Sequence, residues 1–338
     1  MPYVNKMQVG SDAIDLSTDT LSSADQIAKG IIGHLRTGEV VEGTLEGGTS
    51  GGDYNVESIE NSDGTQTLVI TDEQGGGGGG YDADYVVRVM NGTLTADDKL
   101  PSGITSIVPY AFWGCTNLAL TSLPNNVTSI GNYAFHGCTN LALTSLPNNL
   151  TVINDYSFRG CSKLALTSLP SGITSIGTYG FYSCSKLTLT SLPSGVTSIG
   201  TNAFYGCTKL ALTSIPDATN EIMGGAFQNC SNIVELNIPS VTKIGTNTFQ
   251  ACTKLTKIDM SSITSIGSYS FASCGALTTI ILRAPTVCTY GTASAGYDPK
   301  NANLKIYVPQ ALLDNYKTAT NWARLADKFV PIEGSEFE

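Results

Sequence analysis

The sequence predicts a repeat β-solenoid, in which short parallel strands are joined by turns and short helical segments. It adds a small α+β module at the N-terminus and a helical cap at the C-terminus. Three observations carry this. Phenylalanine recurs at Phe112, Phe135, Phe158, Phe181, Phe204, Phe227, Phe249 and Phe271, in five steps of 23 residues and two of 22. A cysteine follows each by three residues, from Cys115 to Cys274. Charged residues are only 14% of the 338, which suits a hydrogen-bonded, strand-rich body better than charged amphipathic helices. Self-similarity at so fixed a period is the signature of stacked structural repeats.

One unit, Leu118 to Asn140, reads LALTSLPNNVTSIGNYAFHGCTN. Its template is Leu-x-x-x-x-Leu-Pro-x-x-Val-x-x-Ile-Gly-x-x-Ala-Phe-x-x-Cys-x-x, with apolar positions that only stacking of units can bury. Leu118 to Leu123 is expected to be a strand that ends where Pro124 cannot continue a ladder, with a second short strand over Val127 to Ile130. The two later, shorter units lose one residue between proline and the branched residue, as in Pro239-Ser240-Val241, which marks that stretch as a loop. Parallel rungs stand about 4.8 Å apart, so eight units over 112–287 make a body about 40 Å long.

The array needs ends. Residues 81–111, with Tyr85 to Leu94 and Leu100 to Ile107, are expected to form an irregular opening rung. Residues 288–338 are expected to form a cap of amphipathic helices, with Pro309 in a first turn and Leu312, Tyr316, Trp322, Leu325 and Phe329 on apolar faces. Upstream, 46–80 combines a hairpin turning at Asp63-Gly64 with a glycine run at 75–80 that reads as a flexible linker. Within 1–45, Ser22 and Asp25 open a short helix through Lys29, closed by Gly30, and Thr37-Gly38 turns between His34-Leu35 and Val40-Val41.

Charge and composition exclude several functions. The net charge of −10 lies in residues 1–100, with 5 basic against 17 acidic residues, while 101–287 has 8 against 5. Without a dense Lys/Arg stripe there is no site to neutralise a phosphate backbone, so no nucleic acid is expected. The start lacks an apolar segment after a basic one, and no stretch approaches 18 apolar residues; neither a signal peptide nor membrane insertion is expected. An enzyme needs convergent titratable groups, and the two histidines, His34 and His136, fall in different modules. No catalytic residue, metal or cofactor is assigned. The repeat cysteines lack the short paired spacing of zinc ligands, and like positions about 4.8 Å apart exceed the roughly 3.8 Å of disulfide Cβ atoms. Buried free thiols are expected, with Cys288 the odd one and a candidate for exposure.

The recurring LP/IP, TSIG, AF and GC elements over about 97–287 resemble the BspA-type leucine-rich repeats of bacterial surface and phage proteins. The resemblance implies a curved leucine-rich-repeat solenoid used in adhesion or ligand binding. Near the N-terminus, Ala24, Ile27, Gly30, Gly38, Val41, Gly43 and Thr44 resemble a short module of phage and prophage tail and fibre proteins, with Gly33 in place of its usual alanine before His34.

Candidate binding residues lie where near-identical units differ. The position after the repeat phenylalanine holds Trp113, His136, Arg159, Tyr182 and Tyr205, and two before it stand Tyr110, Tyr133, Tyr156, Tyr179 and Tyr269. Large amphipathic residues beside an invariant framework suit a binding face; alternatively they only cover rung edges. A second stripe is Leu120, Leu143, Leu166, Leu189 and Leu212. If Leu236 of the unit IVELNIP points inward, counting places Thr121 inward and these leucines outward, as an apolar contact strip; a local shift of register would bury them. Lys163, Lys186, Lys209 and Lys254 form either a weak anion-binding row or solubilising charge.

These readings combine into a non-enzymatic phage structural protein, a tail fibre, head fibre or decoration on the virion. It would attach to a virion structural protein through 1–45 and present its repeats to a host-surface glycan or protein. A homo-oligomer is expected, because short attachment modules rarely fold alone and fibres are symmetric. The alternatives are a BspA-like adhesin on the bacterial cell surface, which the missing signal disfavours, and an intracellular interaction scaffold.

Overall fold

Each rung contributes one two-residue strand, at 106–107, 129–130, 152–153, 175–176, 198–199, 221–222, 243–244, 265–266 and 289–290, giving nine turns among the described residues. The computed structural model describes residues 100, 104–107, 109–291, 299 and 301–338, with five strands upstream at Met7–Val9, Asp12–Ile14, His34–Leu35, Tyr54–Glu60 and Gln66–Asp72. The short helix from Ser22, the turn at Thr37-Gly38, the glycine run and Tyr85 to Leu94 lie outside the described residues. The expected hairpin is present: Tyr54–Glu60 pairs antiparallel with Gln66–Asp72, and His34–Leu35 joins it through Gln66 and Thr67.

The repeat period becomes register. Ile153, Ile176, Ile199, Ile222, Ile244, Ile266 and Tyr290 are successive partners in one seven-stranded parallel sheet, all buried, with Ser, Thr, Glu, Lys or Val beside them facing outward. Ile107 and Ile130 form a separate pair. The sheet divides at Asn154, which occupies the position of Gly131 and Gly177. Those glycines donate their N–H groups to the preceding rung's isoleucine carbonyl at 2.8 and 2.7 Å, whereas Asn154 reaches the Ile130 carbonyl with its side-chain amide at 2.6 Å. Glycine suits this corner because a Cβ on Gly245 or Gly267 would fall 2.4 or 2.3 Å from the backbone of the preceding rung.

A second wall is a five-stranded parallel sheet of Glu235–Asn237, Lys257–Met260, Thr279–Leu282, Lys305–Val308 and Phe329–Pro331. It does not extend into the first five rungs. There Leu118 to Leu123 and its equivalents make few backbone bonds to their neighbours, such as Ala142 N–H to Leu120 C=O at 3.0 Å and Ala165 N–H to Leu143 C=O at 3.2 Å. The strand expected over Leu118 to Leu123 is therefore an extended connection.

This wall also corrects the expected apolar strip. Leu120, Leu143, Leu166, Leu189 and Leu212 are all buried, while Thr121, Thr144, Thr167, Thr190 and Thr213 are exposed. The cause is arithmetic. Leu210 and Ile215 both point inward and are five positions apart, so strict alternation must slip once between them. In LALTSI the slip leaves Thr213 and Ser214 both outward; in IVELNI it leaves Val234 and Glu235 both outward. The units are correctly aligned, since Ser214 bridges to Asn237. Only the place of the slip differs, and it follows the leucine.

The third side is the Phe-x-x-Cys corner. Every phenylalanine from Phe112 to Phe271 is buried, and the rings stack in one column with centroids 5.2 to 5.9 Å apart. Each stacked pair adds about 0.5–1.5 kcal/mol beyond its area burial. The Phe112 carbonyl accepts the Cys115 N–H at 3.1 Å and the Cys138 thiol of the next rung at 2.9 Å. The same double acceptance recurs to Cys274, whose thiol donates to Phe249 at 3.1 Å. All the described cysteines are free, as expected, and Cys138 to Cys274 are buried. Burial holds the Cys115 thiol up at about 11 and the Cys274 thiol at about 12. Cys288, a candidate for exposure on sequence, is buried, its thiol pushed up to about 12 by desolvation.

The C-terminal segment is less helical than expected. It contains one short helix, Leu313–Thr318, between 3-10 turns at Gln310–Leu312 and Ala323–Lys328. Phe329 belongs to a strand of the second wall, not to a helix. The apolar residues nevertheless close the core: Tyr316, Trp322, Leu325 and Phe329 are buried, and the Trp322 indole donates to the Cys288 carbonyl at 2.8 Å while its ring stacks on Tyr290. Among the described residues no helix is long and apolar enough to cross a membrane.

Two outcomes follow. Leu166→Ala is expected to cost about 2–5 kcal/mol in urea denaturation, and Thr167→Ala to stay within about 0.5 kcal/mol; the reverse order would show that the leucines face outward. A thiol reagent at mildly alkaline pH is expected to leave Cys138 to Cys274 and Cys288 unlabelled in the folded protein and to label all 9 cysteines after unfolding. Rapid labelling of the folded protein would contradict the buried thiol column.

Candidate functional site

The corner that buries phenylalanine also decides what stands beside it. Two positions before the ring the backbone adopts positive φ, at Tyr110, Tyr133, Tyr156, Tyr179, Asn202, Gly225, Asn247 and Tyr269, with values from 53° to 66°. Glycine and asparagine occupy this region readily, whereas a bulky side chain costs about 1–2 kcal/mol there. Five rungs nonetheless carry tyrosine. An offsetting contact is visible: the rings of Tyr110, Tyr133, Tyr156 and Tyr179 stack with centroids 4.4 to 4.8 Å apart and planes within 13°. Because each inner ring is covered on both faces, the ladder presents ring edges and phenol hydroxyls. Burial raises the Tyr156 phenol, and the neighbouring Tyr133 and Tyr179 raise it further.

The position after phenylalanine forms a second column. Trp113 is 52% exposed and tilts by 38° to His136, at 6.2 Å between ring centres. His136 also meets Tyr133 at 5.9 Å. Arg159 follows, its Nη1 2.6 Å from His136 Nε2 and its Cζ 5.0 Å from the Tyr182 ring centre and 5.9 Å from that of Tyr179. Tyr182 then stacks on Tyr205 at 4.5 Å, and the column continues as Gln228, whose amide donates to Gln250 at 2.8 Å.

The structure thus brings together Trp113, His136, Arg159, Tyr182, Tyr205, Tyr133, Tyr156 and Tyr179 as two adjacent columns. It leaves Leu120, Leu143, Leu166, Leu189 and Leu212 in the core. Lys163, Lys186, Lys209 and Lys254 are exposed on a separate line two residues after the cysteines. Among the described residues no group of three or more His, Cys, Asp or Glu is placed to hold a metal.

Electrostatics separate this band from the rest of the chain. Neither column contains a carboxylate, in a chain of net charge −10. The nearest in sequence, Asp155, is occupied: its Oδ1 accepts the Thr178 N–H at 2.6 Å. An arginine donor on His136 Nε2 requires the neutral imidazole with its proton on Nδ1. Burial lowers the His136 pKa, and the Arg159 charge lowers it further. The pairing of His136 with Arg159 and of Gln228 with Gln250 was not read from sequence. The available signal was that each pair shares one position on consecutive rungs.

The sequence profile of the BspA type leucine-rich repeat region matches residues 92–211 and 174–291, in six copies. The phage-like residues Ala24 to Thr44 lie outside that match. A Treponema pallidum leucine-rich repeat protein of known structure is 30% identical, over 46% of this chain and 72% of its own, with a TM-score of 0.41. A leucine-rich cell surface protein of Faecalibacterium prausnitzii is 25% identical, over 62% of this chain and 72% of its own, at 0.37. A leucine-rich repeat protein of Eubacterium ventriosum is 22% identical, over 80% and 78%, at 0.43. No curated protein matches the chain. With a parallel solenoid of repeated Phe-x-x-Cys rungs, and with more than half of its residues inside the family match, the chain belongs to the BspA-type leucine-rich repeat family.

Proposed function

We propose that this protein is a non-enzymatic binding array, an adhesin displayed at a bacterial cell surface, and that it engages a glycan or protein through the band from Trp113 to Tyr205. One observation supports this above the others. Through the first rungs the buried phenylalanine, cysteine and leucine positions repeat, yet the column after phenylalanine changes at every step from Trp113 to Tyr182 while staying large and amphipathic. Large amphipathic groups on a rigid frame bind with little loss of conformational entropy, and Trp, Tyr and Arg dominate the energetics of recognition.

The setting rests on the BspA-type repeats, which resemble those of bacterial surface proteins. A virion setting rests instead on the resemblance of Ala24, Ile27, Gly30 and Gly38 to a phage module. Incorporation into phage particles that is lost on deletion of residues 1–45 would favour it; incorporation unaffected by the deletion would refute attachment through that segment.

Binding to glycan arrays and to host cells tests the band. Trp113→Ala is expected to reduce binding at least tenfold, because the exposed indole has no equal on the face. Tyr182→Ala is expected to reduce it less, by removing the platform under Arg159. Unchanged binding in both variants, with unchanged thermal unfolding, would remove the band from the binding surface.

A further inference from the structure

Arg159 is the one cation in either column of the band, and its environment is specific. Nη1 is held by His136 at 2.6 Å and the guanidinium lies over Tyr182. Its Nε is buried without a hydrogen-bond partner among the described residues. An arginine fixed on one edge by a neutral imidazole and on one face by a phenol ring is pre-organised, so a ligand meeting it does not bear the rotamer entropy of a free side chain. No carboxylate in the two columns competes for it, and the charge of His136, when gained, has the same sign.

Resting on the band as the binding surface, we infer that Arg159 with His136 forms an anion subsite, and that the ligand is a saccharide carrying a carboxylate or sulfate on an occasional unit. The spacing supports a saccharide. Trp113, which offers an exposed indole to a sugar's C–H face, stands two rungs from Arg159, about 10 Å along the array, a separation that neighbouring sugar units can bridge. The tyrosine ladder beside them offers phenol edges that hydrogen-bond hydroxyls. Sparse charge on the protein matches sparse charge on the ligand: a nucleic acid, charged on every unit, would need a row of cations on this face. The planar guanidinium favours a two-oxygen acceptor, which both carboxylate and sulfate provide.

The test uses the full chain and three matched probes on a biosensor surface: lactose, sialyl-lactose and sulfo-lactose conjugates. The charged conjugates are expected to bind at least tenfold better than lactose, and their advantage to fall as salt is raised. Arg159→Gln should abolish the advantage. It is a conservative choice for folding, because Gln228 and Gln250 occupy the same column, and unchanged thermal unfolding verifies this. Arg159→Lys should restore part of it. The two charged conjugates separate carboxylate from sulfate recognition, and either result supports the subsite. Lactose bound as well as its charged forms, with dependence on Trp113 but not Arg159, would overturn the subsite and leave the band. A charge preference lost in Lys186→Gln and kept in Arg159→Gln would move it to the lysine row and overturn it. If no probe binds and neither Trp113→Ala nor Arg159→Gln alters binding to host cells, both the subsite and the band fail.

Discussion

The stack depends on the Phe-x-x-Cys corner, where backbone bonds such as Phe112 N–H to Ala134 C=O at 2.8 Å and Gly114 N–H to His136 C=O at 2.7 Å join the rungs and one acceptor is shared, the carbonyl of the repeat phenylalanine. It closes the turn of its own rung by taking the Cys115-type N–H, and it fixes the next rung by taking the Cys138-type thiol at 2.9 to 3.2 Å. A buried carbonyl has two lone pairs, and here both are used. A thiol is small enough to sit in the apolar column and still donates, which alanine or valine could not do. The three-residue spacing of phenylalanine and cysteine therefore encodes the register of this corner, and it is kept in the 22-residue rungs as in the 23-residue ones. With register fixed there, the strand walls need few backbone bonds, and the first five rungs indeed have few on the leucine side.

That economy explains what could and could not be read from the sequence. The buried columns of phenylalanine, cysteine and isoleucine were legible because each recurs at a fixed offset, and a repeat stacks like on like. The leucine side was not, because it contains a step where two inward residues are an odd number apart. Alternation then fails at a place set by the local sequence, and counting across from Glu235-Leu236 gave the wrong face to Leu120. The buried threonine at 219 shows the complementary case. It stands in the valine column, with its hydroxyl donating to the Val196 carbonyl at 2.7 Å, so a polar residue in a core position was tolerated by one hydrogen bond. The cap was half legible: its apolar residues were the right ones, but their spacing reflects 3-10 turns and a strand more than helix.

The surface band was legible as a set of residues and not as a geometry. Sequence placed tyrosines in a column, yet only the fold shows that their backbone is left-handed and that their faces are consumed by one another. Two consequences oppose each other. Stacking makes the tyrosines part of the framework, which weakens the case for each as a contact. The same stacking makes the ladder rigid, so whatever it presents, hydroxyls and ring edges, is presented without freedom. Asn202, Gly225 and Asn247 show that the corner can be built from residues better suited to positive φ. Tyrosine at the first four rungs is thus not required by the backbone.

The tyrosine column breaks at Asn202 and the second column loses its aromatic character at Gln228, with tyrosine returning at Tyr269, while the phenylalanine core continues to Phe271 unchanged. Core and face therefore vary independently along one axis, as expected if the first is constrained by stacking and the second by something outside the chain. A solenoid allows this separation because each rung contacts only its neighbours, so a residue pointing outward can change without disturbing the rungs beyond them. Arg159 sits at the middle of the aromatic stretch, two rungs from Trp113 and two from Tyr205, where a ligand lying along the axis would be held on both sides of its charge.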